Sequence, residues 1–524
     1  MRTRLFEPLI LTVFIATAAA AQDWPQGAGP NANFTMSDSD APTTWSVVND
    51  ENIAWRLTLP ETGQSTVAIQ GDRLFFTIME PVEQDSELGR NVIAHCCRAS
   101  DGKVLWKRKI EGEHPLRLSG CFSDSSAPPP VTDGKRVVFF NASGTIACFD
   151  FTGRKLWSVK RLVVGRTQPF LRKGLVHYIR QVYAPDGKGH FTHEHKNASL
   201  EQWTQLQALD IKTGEVEWTS TCGVNMGSVP LPQKLKDGRD VLLVGRGGGH
   251  SPPEKPEGVS MLNADNGRTI WTLPLPGFMS TQTISIHGDH AWIYHGPELL
   301  KVGATSGEIE KRISIVDDIP ARLHTGDGWK TKRISLKPGK NKREITQQSN
   351  ILIGDYSYFR CYQRNYLGRV NLRTDQVEYL QLPAQLIREP GKADVLHWTA
   401  EGSIAPWGRK PKGELKVNYW SLKHNDMKNS RGFVVVGDLR SKGNGWGHIA
   451  TQVPTVVGTR LFVPIMGGSV FVIDWAAARL DEKALVSIND LGPAGESWNR
   501  ASLSYSDGRL YAHTIKEIIC IKKK

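Results

Sequence analysis

The sequence predicts an all-β protein: an eight-bladed β-propeller of four-stranded antiparallel blades whose last blade is closed by a strand from the N-terminus. Three observations predict it. The first is a repeat, clearest at Ala208 to Trp218 (A-L-D-I-K-T-G-E-V-E-W), with worn copies at Gly102 to Trp106, Gly153 to Trp157, and Gly267 to Trp271. Internal repetition at this scale is the signature of arrays and propellers. The second is a glycine-centred turn leading into an apolar strand upstream of each copy, at Gly71, Gly134, Gly174, Gly238, Gly288, Gly354, Gly458 and Gly508. The third is that the two ends of the chain are complementary fragments of one repeat.

Each repeat reads as strand, tight turn, strand: an apolar run, then Asp and Thr-Gly, then an alternating run ending in Trp. The glycine supplies a positive φ and the Trp has a sheet face to cover. With the strands around the upstream turn, one repeat makes four antiparallel strands that cannot bury their own faces without neighbours. Gly307 to Lys311 and Asp375 to Tyr379 keep the frame after the Trp is lost, and Val472-Ile473-Asp474 opens a copy with an altered turn. Trp55, Trp106, Trp157, Trp218 and Trp271 are expected to dock one blade on the next. After Gly508 the chain stops three strands into a blade, while Ala54 to Leu59 resembles Leu105 to Ile110 without three strands of its own. Joining the two closes the ring and removes a sheet edge.

The chain divides as 1–21, a signal peptide; 22–50, an N-terminal extension; and 51–524, the propeller, with insertions around 311–350 and 385–430. Arg2 and Arg4 precede an apolar run from Leu9 to Ala21 with small residues at its end, the pattern of a cleaved secretory signal. Gln22 is expected to begin a periplasmic or secreted, monomeric protein. No later stretch approaches the ~20 apolar residues of a membrane span. The seven cysteines, an odd number that leaves at least one thiol free or intermolecular in an oxidising compartment, read as core residues. Cys97, Cys148 and Cys520 are expected at the strand position of Ala208.

The formal charge is +12, concentrated in two basic runs. One holds Lys330, Lys332, Arg333, Lys337, Lys340, Lys342 and Arg343; the other spans Arg409 to Arg431, interleaved with Trp407, Tyr419 and Trp420. Such runs suit an anionic polymer, though solvated lysine-rich loops are the simpler content. Nothing points to nucleic acid. His190, His193 and His195 with Glu194 can present imidazoles to a metal, but a polar hairpin loop accounts for them as well, so no metal site is assigned. Gly247 to His250 lacks the Lys-Ser/Thr ending of a phosphate loop. Nor is there a haem-attachment motif or a serine elbow.

The best ligand surface is the channel mouth, where the segments leading into the innermost strands converge. Trp446 and His448 precede one such strand, and Trp498, Asn499 and Arg500 another. An aromatic ring beside a hydrogen-bonding or charged group suits sugars, carboxylates or peptide segments.

The repeat resembles the tryptophan-docked propeller of quinoprotein alcohol dehydrogenases and their many non-catalytic relatives, over nearly the whole mature chain. Asp23-Trp24-Pro25-Gln26 with Gly29-Pro30-Asn31 also resembles the start of secreted bacterial proteins with pyrroloquinoline-quinone-like repeats. In the catalytic branch the resemblance implies a quinone over the channel between a Trp floor and a vicinal disulfide, with calcium and an Asp base. Cys96-Cys97 invites that comparison, yet the repeat places both in a strand. No catalytic residue is assigned and no cofactor is expected. The reading is therefore a binding or scaffold propeller of the cell envelope, similar to the branch that includes the propeller component of the outer-membrane barrel-assembly machinery. Its partner would be an envelope protein, a peptide segment or a polysaccharide. The alternatives are an alcohol or sugar dehydrogenase using pyrroloquinoline quinone and calcium, and a polyanion or polysaccharide binder.

Overall fold

The computed structural model describes residues 23–38, 40–82, 88–117, 124–163, 168–181, 203–247, 255–278, 282–336, 350–361, 364–398, 430 and 452–524. Among these there is no helix, and none long and apolar enough to cross a membrane. The strands form eight antiparallel four-stranded blades in a ring. Their innermost strands are Ala68–Gln70, Val131–Thr132, Phe170–Arg172, Pro232–Lys234, Ser285–His287, Ile351–Ile353, Thr455–Val457 and Ser504–Ser506, which begin blades 1 to 8. All eight glycines of the upstream turns follow these strands, with φ between 54° at Gly71 and 88° at Gly238.

Blade 8 takes its outermost strand, Ile53–Thr58, from the N-terminus and pairs it with Glu517–Lys522. The ends are adjacent, since Lys522 N donates to Asn52 O at 2.9 Å. Blade 6 carries two extra strands, the hairpin Ile319–Thr325 and Gly328–Ile334, added in parallel to its outermost strand Val377–Gln381.

The fourth-strand indoles reach across to the neighbouring blade. A Cβ on Gly214 would lie 2.7 Å from the Trp157 ring, and one on Gly102 2.6 Å from Trp55. Only glycine leaves room for the indole there. Trp55, Trp106, Trp157 and Trp271 donate their indole N–H to Ala99 O, Phe151 O, Ile211 O and Ala304 O of the next blade's turn.

One expected register is off by a residue. Trp218, Trp157 and Trp55 stand opposite Ala208, Cys148 and Cys520, but Trp106 stands opposite Cys96, while Cys97 faces Val104. The turn from Asp150 to Gly153 is one residue shorter than that from Asp210 to Gly214, so counting back from glycine transfers wrongly to blade 1. All six cysteines of the described residues are buried; Cys121 lies outside them.

Candidate functional site

The two mouths of the channel differ. On the side of the glycine turns, residues Asp23 to Met36 lie across several blades. Trp24 pairs with Ile69 of blade 1, Pro25 O accepts from Thr132 N of blade 2, Gln26 accepts from Leu171 N of blade 3, and Phe34 O accepts from Val456 N of blade 7. Ala28, Ala32 and Phe34 are buried among core residues of blades 3, 4, 6 and 7. The extension thus plugs this mouth with apolar side chains, and the opposite mouth, where the lead-in segments converge, is the candidate site.

There the polar residues are mostly staples between blades. Thr283 and Asn350 bond reciprocally, with Asn350 Oδ1 accepting from Thr283 N at 2.9 Å, which ties blade 5 to blade 6. Ser502 Oγ donates to Val453 O at 2.8 Å and Ser504 Oγ to Val67 O at 2.7 Å, linking blades 7, 8 and 1. Short innermost strands leave backbone groups that these hydroxyls and amides satisfy.

Of the residues expected at the mouth, Trp446 and His448 lie outside the described residues, as do His190, His193, Glu194 and His195. Trp498 is 2% exposed and packs with Met466 and Ile515. Asn499 is fully buried: its Oδ1 accepts from Ala501 N and its backbone O from Gln452 Nε2. Both are placed for packing and stapling. Arg500 is half-buried, its guanidinium 5.8 Å from the Trp498 ring centroid, and it donates to Gln64 Oε1 at 3.2 Å.

Arg500 opens a chain of contacts that sequence reasoning missed. Gln64 Nε2 donates to Asp124 Oδ2 at 3.1 Å, and Asp124 also accepts from Ser126 N and Ser126 Oγ at 2.9 and 2.5 Å. Asp124 is fully buried, and Glu61, three residues before Gln64, is 3% exposed and accepts from Ser430 N at 3.3 Å. Two carboxylates therefore line the blade 1 and 2 side of the mouth, across Gln64 from the cation of blade 8. The signal for them was present: Glu61 to Thr66 and Asp124 precede innermost strands just as Trp498 to Arg500 do. Beneath them Phe76 stacks on His95 at 4.8 Å and meets His513 edge-on at 5.4 Å. Burial pushes both imidazoles down to about 4.

Residues 89–289 match the sequence model of the family described as outer membrane protein assembly factor BamB, under half of the chain. The quinohemoprotein alcohol dehydrogenase of Comamonas testosteroni superposes with a TM-score of 0.51 at 12% identity, covering 97% of this chain and 82% of that one. That of Pseudomonas putida HK5 gives 0.50 at 12%, covering 96% and 80%. The chain carries pyrroloquinoline-quinone-like propeller repeats. BamB from Moraxella catarrhalis aligns at a TM-score of 0.43 and 13% identity, over 89% of this chain and 97% of that one. No curated protein matches. At 12% identity the likeness to the two dehydrogenases establishes a shared propeller fold alone.

The vicinal disulfide that the resemblance implies is tested at Cys96 and Cys97. Successive residues of a strand point to opposite faces. Cys96 accordingly packs toward blade 2 with Phe139, and Cys97 toward blade 8 with Cys520. Burial pushes both thiols up to about 12, so neither is a reactive thiolate. A vicinal disulfide needs both sulfurs on one side, and this pair does not offer that contact. Among the described residues no three His, Cys, Asp or Glu side chains converge as a metal site either.

Proposed function

We propose that this chain is an exported binding or scaffold propeller of the bacterial cell envelope, with its ligand surface at the unplugged mouth. Arg500 is the residue that carries this reading, as the half-buried cation of a mouth where Trp498 and Asn499 are buried in packing. Gln64, itself held by the buried carboxylate of Asp124, accepts from the guanidinium and fixes its place, so the buried amide and carboxylates position the cation rather than meet a ligand. A planar cation held beside an aromatic ring binds the carboxylates or carbonyls of an extended peptide, or the hydroxyls of a sugar, through charge-assisted hydrogen bonds.

The competing reading is a dehydrogenase using pyrroloquinoline quinone with calcium, and the placement of Cys96 and Cys97 speaks against it. Both readings make opposite predictions for one experiment. Protein mixed with pyrroloquinoline quinone and calcium, then desalted, is expected to retain no quinone absorbance and to give no dye-linked alcohol or aldose oxidation. Turnover that vanished on chelation would overturn the binding reading. For the site itself, a panel of short peptides and oligosaccharides titrated against the folded protein should include a binder that Arg500→Ala weakens by about tenfold or more. A binder indifferent to Arg500→Ala, Gln64→Ala and Glu61→Gln would place the surface elsewhere.

A further inference from the structure

The hairpin on blade 6 has a free edge whose chemistry selects a partner. Blade 6 is complete with four strands, so Ile319–Thr325 and Gly328–Ile334 are additions to it. Thr325 pairs with Gly328 across a two-residue loop, which makes that pair the hydrogen-bonded one, and bonded pairs then alternate along the hairpin. Leu323 with Lys330 and Ala321 with Lys332 are bonded; His324 with Trp329, Arg322 with Thr331 and Pro320 with Arg333 are not. Two facts agree with this alternation. His324 N donates away from the hairpin, to Gln381 Oε1 at 2.9 Å, and Pro320, which has no N–H, falls at a non-bonded place. By the same alternation Trp329, Thr331 and Arg333 direct their backbone N–H and C=O groups outward. Among the described residues no strand pairs with that edge.

The edge is basic. Lys330, Thr331, Lys332 and Arg333 are exposed in succession. Lys330 approaches Asp327 only to 3.6 Å, Arg333 pairs with Asp318 at 2.7 Å, and among the described residues Lys332 has no ion-pair partner. A second copy of the same strand would bring these cations against themselves, and like charges opposed across strands repel. Lysine on an edge ordinarily serves only to prevent pairing. Here the hairpin is not needed to close the blade, and the same charges that repel a copy attract an acidic strand.

We infer that Gly328–Ile334 is a docking edge for an extended acidic segment of a partner protein, which adds to blade 6 as a further strand. Backbone bonds at Trp329, Thr331 and Arg333 would hold it, and Lys330 and Lys332 would choose it by charge. The alternative occupant is an unstructured polyanion held by charge alone.

The probe is a synthetic peptide of alternating Glu and Val as long as the hairpin strand, with a Lys-for-Glu control and inorganic polyphosphate as the polyanion. The full chain is expected to bind the Glu peptide saturably and the Lys peptide not at all. Thr331→Pro removes an outward N–H where proline is tolerated, so the bonds within the hairpin stay. It should weaken the Glu peptide by about tenfold or more. Lys330→Glu with Lys332→Glu should transfer the preference to the Lys peptide, a reversal that does not depend on how well the proline variant folds. The inference is overturned if the Glu peptide fails to bind, if polyphosphate displaces it and both bind Thr331→Pro as tightly as the parent, or if the charge exchange leaves the preference unchanged.

Discussion

The seams from blade 8 round to blade 5 and those from blade 5 round to blade 8 solve one problem with different chemistry. In the first group an indole lies on the next blade's turn glycine, as Trp157 does on Gly214. In the second group charges replace the indole. Lys311 takes the Trp position of blade 5 and pairs with Asp375, which holds the turn with a φ of 60° where blades 1 to 5 have glycine. Arg369 of blade 6 donates to Ala477 O of blade 7 at 2.6 Å and to Glu378 at 2.9 Å. Arg388 joins Asp490 of blade 7, around which Ser46, Val47 and Val48 also close. The blade 3 to 4 seam is a hybrid. Trp218 lies over Gly267, but Arg172 donates to Ala264 O at 3.2 Å, and the Trp218 indole N–H has no partner.

What separates strong from weak seams is burial rather than the kind of group. The Arg369 side chain is 2% exposed and the Lys311 side chain 52%, so the same class of ion pair has different worth in the two places. The largest effect should come from neither half but from the strand that joins them. Deleting Ile53 to Leu59 uncovers the edge of Glu517–Lys522 and should abolish the cooperative melting transition or cause aggregation. An unchanged melt would show that the ring does not depend on the shared blade.

Next in size are truncations at one buried seam of each kind. Trp157→Ala leaves a cavity between blades 2 and 3, and Arg369→Ala leaves Glu378 without its buried cation; each should cost about 3–5 kcal/mol in denaturant unfolding. A much smaller loss for Arg369→Ala would mean that the charged half is held by its apolar packing alone.

Acid should separate the two halves as well, because His95, His177 and His513 lie in the blades of the Trp-docked half. Burial pushes all three down to about 4. Unfolded, each would titrate near 6.5, so between pH 4 and 6.5 the unfolded chain binds more protons and stability falls as pH falls. Each contributes a slope of about 1.4 kcal/mol per pH unit in that window. A His177→Phe variant melted at pH 7 and 5 should lose less stability on acidification than the parent; equal losses would mean that His177 is already protonated or solvated.

The Trp-docked half was legible in the sequence and the charged half was not, for a physical reason. Each indole lies on the turn glycine of the next blade, and because each of blades 1 to 4 carries both residues, the Gly-to-Trp spacing recurs from repeat to repeat. Lys311 with Asp375 and Arg369 with Ala477 join groups 64 and 108 residues apart and each occurs once, so no recurring pattern announces them. The same limit applied at the mouth. Arg500 could be placed by its lead-in position, but its link through Gln64 to Asp124 depends on three blades meeting. The off-by-one placing of Cys97 came from carrying the shorter turn of blade 2 over to blade 1, which strand pairing corrects.

The smallest expected effects test the hybrid seam against its neighbours. Trp157→Phe keeps most of the ring but leaves Ile211 O without the indole N–H, which should cost about 1 kcal/mol beyond the change in volume. Trp218→Phe removes an N–H that has no partner, so its cost should be the volume change alone and the smaller of the two. Lys311→Ala and Asp375→Ala complete the series. Their coupling in a double-mutant cycle should be under about 1 kcal/mol and shrink in salt, as exposed pairs do. Asp375→Gly should even gain stability, because it relieves a positive φ while giving up only that weak pair. If Asp375→Gly proved strongly destabilising, the Lys311 pair would be a principal tie between blades 5 and 6, and burial would not be what ranks these seams.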